Sequence, residues 1–226
     1  MSSEEKSPGF EPAIVPTLRP GKAGGVRAKN RQERTEALCR AGLRLFRERG
    51  LAQATVDEIT REAGVSKGSF YRYFTDKAAL VAAIFAPLEQ QMDEAMERCR
   101  QAIHAADDDE ALRAAYGVLA QTLAVMIFGS AEVVELYLQE SRGADDPARA
   151  AIHRLSDKLT EAAVGLTTAA HDRGLVRDVS PVVTAVAVVG AVEAMLSRHF
   201  RGQVLGDPVE VTAELIQLVL EGIRAE

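Results

Sequence analysis

Residues 55–80 read TVDEITREAGVSKGSFYRYFTDKAAL. Thr55 and Glu58 stand in the T-x-x-E spacing of a capping box, so a helix starts at Thr55. Val56, Ile59 and Ala63 line one of its faces. Gly64 permits a tight turn, and Val65 plugs that turn into the core. Ser66 then caps a short second helix that runs to Tyr73, and a longer helix begins near Thr75 or Asp76. A short helix can enter the DNA major groove only if its outer face is small or polar while its inner face packs down. Phe70 and Phe74, four residues apart, suit the packing face. Ser66, Lys67, Gly68, Ser69, Tyr71 and Arg72 suit the outer face. Gly68 and Ser69 allow close backbone approach, Tyr71 and Tyr73 offer hydroxyls to phosphates, and Lys77 sits where a helix N-terminus could share a phosphate.

Upstream, Leu38, Ala41, Leu45 and Phe46 recur at helical spacing, which predicts a helix from about Asn30 to Arg49 closed by Gly50. Before it, Arg27, Lys29, Arg31 and Arg34 form a basic run, either a DNA-contacting arm or a solvated charge run. Residues 1–26, with Pro8, Pro12, Pro16 and Pro20 and no periodicity, are read as a disordered tail. Downstream, Leu80, Ile84, Leu88, Met92, Ala95, Met96 and Cys99 make an apolar stripe, with Pro87 inside it as an expected kink or break. Asp109–Phe128 is apolar nearly all round, and Ser130–Arg142 is a shorter helix. Asp146-Pro147, Ser180-Pro181 and Asp207-Pro208 each read as a cap followed by proline, with Glu210 completing a box with Asp207. No segment alternates with period two. The expected fold is all-α: a tail (1–26), a three-helix helix-turn-helix domain (27–77) and a larger helical domain (78–226).

Charge supports this division. The chain carries a net −6, but residues 1–77 hold 15 Lys+Arg against 10 Asp+Glu, and residues 78–226 hold 12 against 23. A head of net +5 on a body of net −11 suggests that only the head meets a polyanion.

The stretch from Ala37 to Phe85 resembles the DNA-binding domain of tetracycline-repressor-type (TetR family) transcriptional regulators. The resemblance rests on Leu45-Phe46 and Gly50, Thr55-Val56, Ile59, Ala63-Gly64-Val65-Ser66, and the spacing Tyr71-x-x-Phe74-x-x-Lys77. It implies that Thr55 touches a phosphate and that Lys67, Ser69, Tyr71, Arg72, Tyr73 and Lys77 form the main DNA-contacting set. Lys67 and Arg72 are the candidate base readers, since basic side chains address guanine in the major groove. The resemblance further implies a homodimer on a near-palindrome in double-stranded DNA, with half-site centres roughly 34–36 Å or a near multiple apart. Repression is its most common mode of action.

Beyond about residue 90 the resemblance fades to Arg173-Gly174-Leu175, Asp178, Pro181 and Gly190, similar to the family's join to its two-helix dimer element. The expected dimer interface is a four-helix bundle of Ser180–Arg201 and Asp207–Arg224. Gly190 and Ala194 would allow close approach, and Val183, Val186, Leu215, Leu218 and Val219 would supply apolar area. A small-molecule effector pocket is expected between helices, lined by Met92, Met96, Tyr116, Thr122, Met126 and Tyr137; a plain core explains the same residues. Glu193, the one charge between Pro181 and Ser197, reads as an interhelical hydrogen bond or ion pair, or as a partner for a cationic ligand.

Other chemistry finds no foothold. Cys39 and Cys99 lack metal-ligand or CxxC spacing and read as reduced, partly buried thiols. His104, His153, His171 and His199 show no ligand spacing, and no catalytic constellation stands out. No enzyme activity, metal or cofactor is expected. No uninterrupted apolar run reaches the ~18 residues of a membrane span, so no membrane partner and a cytoplasmic location are expected. The alternatives are a regulator without a small-molecule ligand, for which a body without a cavity would speak, and a helical dimeric protein-interaction module.

Overall fold

The computed structural model describes residues 26–203, 206 and 208–223, and among them the chain is all-α. The helices are α1 (Val26–Arg49), α2 (Val56–Glu62), α3 (Lys67–Tyr73), α4 (Lys77–Ala105) and α5 (Asp109–Gly129). They continue with α6 (Ala131–Glu140), a 3₁₀ turn (Pro147–Arg149), α7 (Ala150–Asp172), α8 (Pro181–Phe200) and α9 (Pro208–Ile223). The tail expected over residues 1–26 and the box residue Asp207 lie outside the described residues, apart from Val26. Two compact units divide the chain: one up to Pro87 together with Asp145–Ala151, the other Leu88–Ala144 together with the residues from Ile152 on.

The first unit is built on α1, α2 and α3. α1 starts at Val26 rather than Asn30, so the basic run is part of the helix and not an arm preceding it. Leu38, Phe46, Leu51, Ile59, Phe70 and Leu80 are at most 1% exposed and form its core. Gly42 faces this core: a Cβ there would stand 2.8 Å from Cδ2 of Leu80. The turn after α2 requires Gly64, whose φ of 66° lies in the left-handed region that side chains disfavour. Val65 N–H then donates to the Thr60 carbonyl at 3.0 Å, closing the turn.

α4 runs without a break through Pro87, where a kink or break was expected. Proline removes one helical donor and leaves the Ala83 carbonyl without its i+4 partner. The helix tolerates this because the surrounding residues Ala83, Ile84, Phe85 and Leu88 are buried and hold it in place. The division between the units falls at this proline.

In the second unit, α5 packs against α9 and α6, and α6 against α8. Asp108 caps α5 by accepting the Ala111 N–H at 2.8 Å. Arg173 closes the far end of α7: its guanidinium donates twice to the Ala106 carbonyl, at 3.1 and 2.8 Å, and pairs with Asp107 at 2.7 Å. Lys158 on α7 pairs with Glu89 and, at 3.4 Å, with Asp93, both on α4.

By length and composition α5 and α8 could each cross a membrane, with a mean hydropathy of 1.5 over an 18-residue window. The uninterrupted-run criterion passes over them because Gln121 and Thr122 break α5 and Glu193 breaks α8. Both helices are apolar on more than one side, facing neighbours in the unit on one side and exposing valines on another.

Both cysteines are buried, at 2% for Cys39 and 4% for Cys99, and unbridged. Burial pushes the Cys39 thiol up to about 12 and the Cys99 thiol up to about 11. Since the thiolate is the nucleophile, a thiol-reactive chromogen at pH 8 is expected to leave both untouched until denaturant is added, then titrate two. Fast labelling of the folded protein would contradict this burial.

Candidate functional site

The outer surface of α2 and α3 is assembled by local hydrogen bonds. The capping box forms: Glu58 N–H donates to Thr55 Oγ1 at 3.3 Å, and the Glu58 carboxylate accepts the Thr55 N–H at 3.0 Å and hydroxyl at 2.8 Å. These bonds, first the one from the Thr55 hydroxyl, hold the Glu58 carboxyl below its ordinary range, with Arg49 adding to the effect at 2.6 Å. Ser66 caps α3 by accepting the Ser69 N–H at 3.2 Å, and the two hydroxyls lie 3.0 Å apart. The loop conformation that presents α3 is therefore written into the residues at its own ends.

Most of the residues expected to meet DNA share this surface. Thr55, Ser66, Lys67, Gly68 and Arg72 are exposed, Ser69 is half-buried, and Tyr71 is 53% exposed with its ring edge-on to Phe70 at 5.3 Å. Lys67 is tied to Asp57 on α2 at 2.7 Å, a contact that raises its ammonium above the ordinary lysine range. Phe70 and Phe74 pack inward as expected, with centroids 5.6 Å apart.

Tyr73 and Lys77 correct the expectation. Tyr73 is 5% exposed: it follows Phe70 by three residues, and so shares its inward face. Lys77 is half-buried and its ammonium donates to the carbonyls of Leu51 and, at 3.3 Å, Ala54, so it fastens the loop between α1 and α2. The N-terminus of α4 beside it is already filled by Asp76, which accepts the Ala79 N–H at 2.8 Å. Arg31 is half-buried on α1, and the side chain of Arg27 lies outside the described residues.

Gly68 offers a clean test of backbone approach. A Cβ there would meet only Ser66 Oγ, at 4.0 Å. Gly68→Ala is therefore expected to leave stability unchanged or raise it by up to about 1 kcal/mol, while weakening duplex binding several-fold. Paired thermal melts and fluorescence-anisotropy titrations check both halves; unaltered DNA affinity would show that this backbone does not lie against the duplex.

The second unit contains a partly open cavity of about 220 Å³. Met92, Met96, Tyr116, Met126 and Tyr137 line it, as expected. Thr122 does not line it, and its hydroxyl donates to the Val118 carbonyl at 2.8 Å. Leu215 and Val219, assigned from sequence to a dimer interface, turn inward and line the cavity instead, as does α8 through Val189 and Leu196. Val183, Val186 and Leu218 remain outward, at 68, 57 and 70% exposed; Ala194 is exposed and Gly190 half-buried.

The cavity wall is apolar except for a few groups. The Tyr137 hydroxyl donates to Glu193 at 2.5 Å, and Arg142 approaches the other carboxylate oxygen at 3.4 Å. Burial, and then the Glu193 contact, push the Tyr137 phenol well above its ordinary range, with Ser156 acting in the opposite sense. The interhelical hydrogen bond that was one expectation for Glu193 forms, to Tyr137 on α6, and its place on the cavity wall is what the sequence did not indicate. Among the described residues no group of three or more His, Cys, Asp or Glu could hold a metal ion.

Residues 38–84 match the family model described as "Bacterial regulatory proteins, tetR family". The chain is 43% identical to the HTH-type transcriptional regulator YerO of Bacillus subtilis over 49 residues, 22% of this chain and 17% of that relative. It is 38% identical to the HTH-type transcriptional activator FasR of Mycolicibacterium smegmatis over 97 residues, 41% of this chain and 43% of FasR. The chain thus spans less than half the length of these curated relatives. Among solved structures, the transcriptional regulator FadR from Bacillus subtilis, in complex with stearoyl-CoA, is similar with a TM-score of 0.65 at 17% identity. That likeness covers 83% of this chain and 98% of FadR, and concerns the fold. The helix-turn-helix domain that carries α2 and α3 is thus a DNA-binding domain of the tetR family of bacterial regulatory proteins.

Proposed function

We propose that the protein is a ligand-responsive transcriptional regulator. It binds a near-palindromic operator in double-stranded DNA as a homodimer, and a small apolar or amphipathic effector releases it. The observation that carries this reading is the pairing of an exposed, capped α3 in the family's DNA-binding domain with a separate apolar cavity of about 220 Å³. The cavity favours an effector over a body that serves dimerisation alone. The exposed valines of α8 and Leu218 of α9 support a homodimer, since a monomer gains nothing by leaving them in water. Repression is the direction that resemblance to the family most often implies.

The mechanism is a shift of population. An effector weakens DNA binding only by the difference in its affinity for the DNA-competent state and for another state. α4 is the element with residues in both units, and Pro87 marks its passage from one to the other. Pro87→Ala is expected to reduce effector-driven release while leaving operator affinity without effector little changed. Release curves superimposable on those of the parent protein would remove Pro87 from the mechanism.

The deciding experiment is selection from a random duplex library by the full-length protein over a salt series. Enrichment of a near-palindrome, with affinity falling steeply as salt rises, is the expected result. Absence of both from a verified dimer would overturn the reading in favour of a protein-interaction module.

A further inference from the structure

The polar groups on the cavity wall are nearly all acceptors, because their protons are already committed. Tyr137 gives its hydroxyl proton to Glu193 at 2.5 Å. Thr167 gives its own to the Ala163 carbonyl at 3.2 Å, and Thr184 to the Ser180 carbonyl at 3.1 Å. What these side chains can still present to the cavity are lone pairs. Glu193, a carboxylate with no proton to give, is the one acidic or basic residue among the described residues that line the space. Tyr116 is the remaining hydroxyl there, with no hydrogen bond of its own among those described.

The position of Glu193 strengthens the asymmetry. Its side chain is 14% exposed, so its charge is poorly screened by water. One of its oxygens takes the Tyr137 proton; the other has only Arg142, at 3.4 Å, from a side chain that is 75% exposed and does not line the cavity. That second oxygen is the least satisfied strong acceptor on the wall. A ligand donor reaching it would replace a long, solvent-exposed contact by a short one in an apolar surround, where charge-assisted hydrogen bonds are strongest. A ligand carboxylate would instead meet Glu193 with like charge and find few protons to accept.

Given an effector cavity as proposed above, on which this step rests, we infer that the effector is an apolar molecule with a single cationic, hydrogen-bond-donating head, such as an alkylammonium, whose nitrogen docks on Glu193 beside Tyr137. The hydrocarbon portion occupies the methionine- and leucine-lined remainder of the cavity. Fatty carboxylates and other anionic amphiphiles are excluded from the same pose.

The test uses the full-length dimer and three eight-carbon probes differing only in the head: octylammonium, octanol and octanoate. Calorimetric titration is expected to rank octylammonium at least about tenfold tighter than octanol, with octanoate weakest. Glu193→Gln is expected to erase the preference for ammonium over alcohol. Tyr137→Phe, which frees a carboxylate oxygen and keeps the ring, is expected to hold or increase it; this variant serves if Glu193→Gln does not fold. Octanoate binding as tightly as octanol overturns the inference, as does an ammonium preference that survives Glu193→Gln. Octanol binding with no advantage for ammonium also overturns it but leaves the cavity as an effector site. Failure of all three probes to bind would instead remove the effector site itself, and the inference with it.

Discussion

Phe70→Ala is expected to unfold the DNA-binding unit under conditions in which the parent protein is native. Phe70 is fully buried, touches Tyr71 and Phe74 through its ring, and is the inward anchor of a helix only seven residues long. A helix of that length has no independent stability in water, so its position depends on the anchor. Truncating a buried phenylalanine costs about 3–5 kcal/mol, against roughly 5–15 kcal/mol for a whole domain. Urea titration followed by circular dichroism should show an early transition that the parent lacks, and anisotropy with a duplex should show binding lost. The second unit, which shares none of these contacts, should keep its own transition. A single unshifted transition together with full DNA affinity would mean that α3 is held by something other than this aromatic cluster.

Arg72→Ala should produce the opposite pattern: little change in stability and a large loss of operator binding. Arg72 is exposed at the last turn of α3, and no ion pair of its side chain appears among the described contacts. A guanidinium reading guanine is worth about 1–3 kcal/mol of discrimination, so operator affinity should fall roughly 5- to 150-fold. If Arg72 reads a base, repeating the library selection with the variant should relax the preference at one position in each half-site. If it meets a phosphate, affinity should fall evenly across sequences and the salt dependence should flatten. Lys67→Ala should cost less than Arg72→Ala, because Asp57 competes with DNA for the Lys67 ammonium at 2.7 Å. Unchanged affinity in the Arg72 variant would take this side chain out of the interface.

Which side chains over residues 66–77 are buried and which exposed was legible in advance except at Tyr73 and Lys77, and each miss has a cause. Tyr73 was given a phosphate because a tyrosine carries a hydroxyl, yet its register with Phe70 turns it inward. Lys77 was given a phosphate because it is a cation at a helix start, yet carbonyls of a loop 26 residues earlier in the chain lie within its reach. The first error lay in the local pattern and could have been read from spacing; the second required knowing where the α1–α2 loop passes.

The second unit repeats the contrast at larger scale. The proline starts of α8 and α9 and the Ser180 cap of α8 follow from the sequence, because a cap forms between residues three positions apart. Which way α8 and α9 face does not follow. Both are apolar on more than one side, so their composition fits equally a dimer interface and a cavity wall, and that of α8 a membrane span as well. Only the packing of α9 on α5 and α8 on α6 turned Leu215 and Val219 to the cavity and left Val183 and Leu218 in solvent.

Local spacing carries the all-α fold, the capped turn that presents α3, and the family of the DNA-binding domain, since each rests on interactions spanning a few residues. Tertiary structure alone decided that an apolar cavity opens in the second unit and that Glu193 stands on its wall with Tyr137. Those groups are 56 residues apart, and their meeting depends on helix packing that no local spacing encodes.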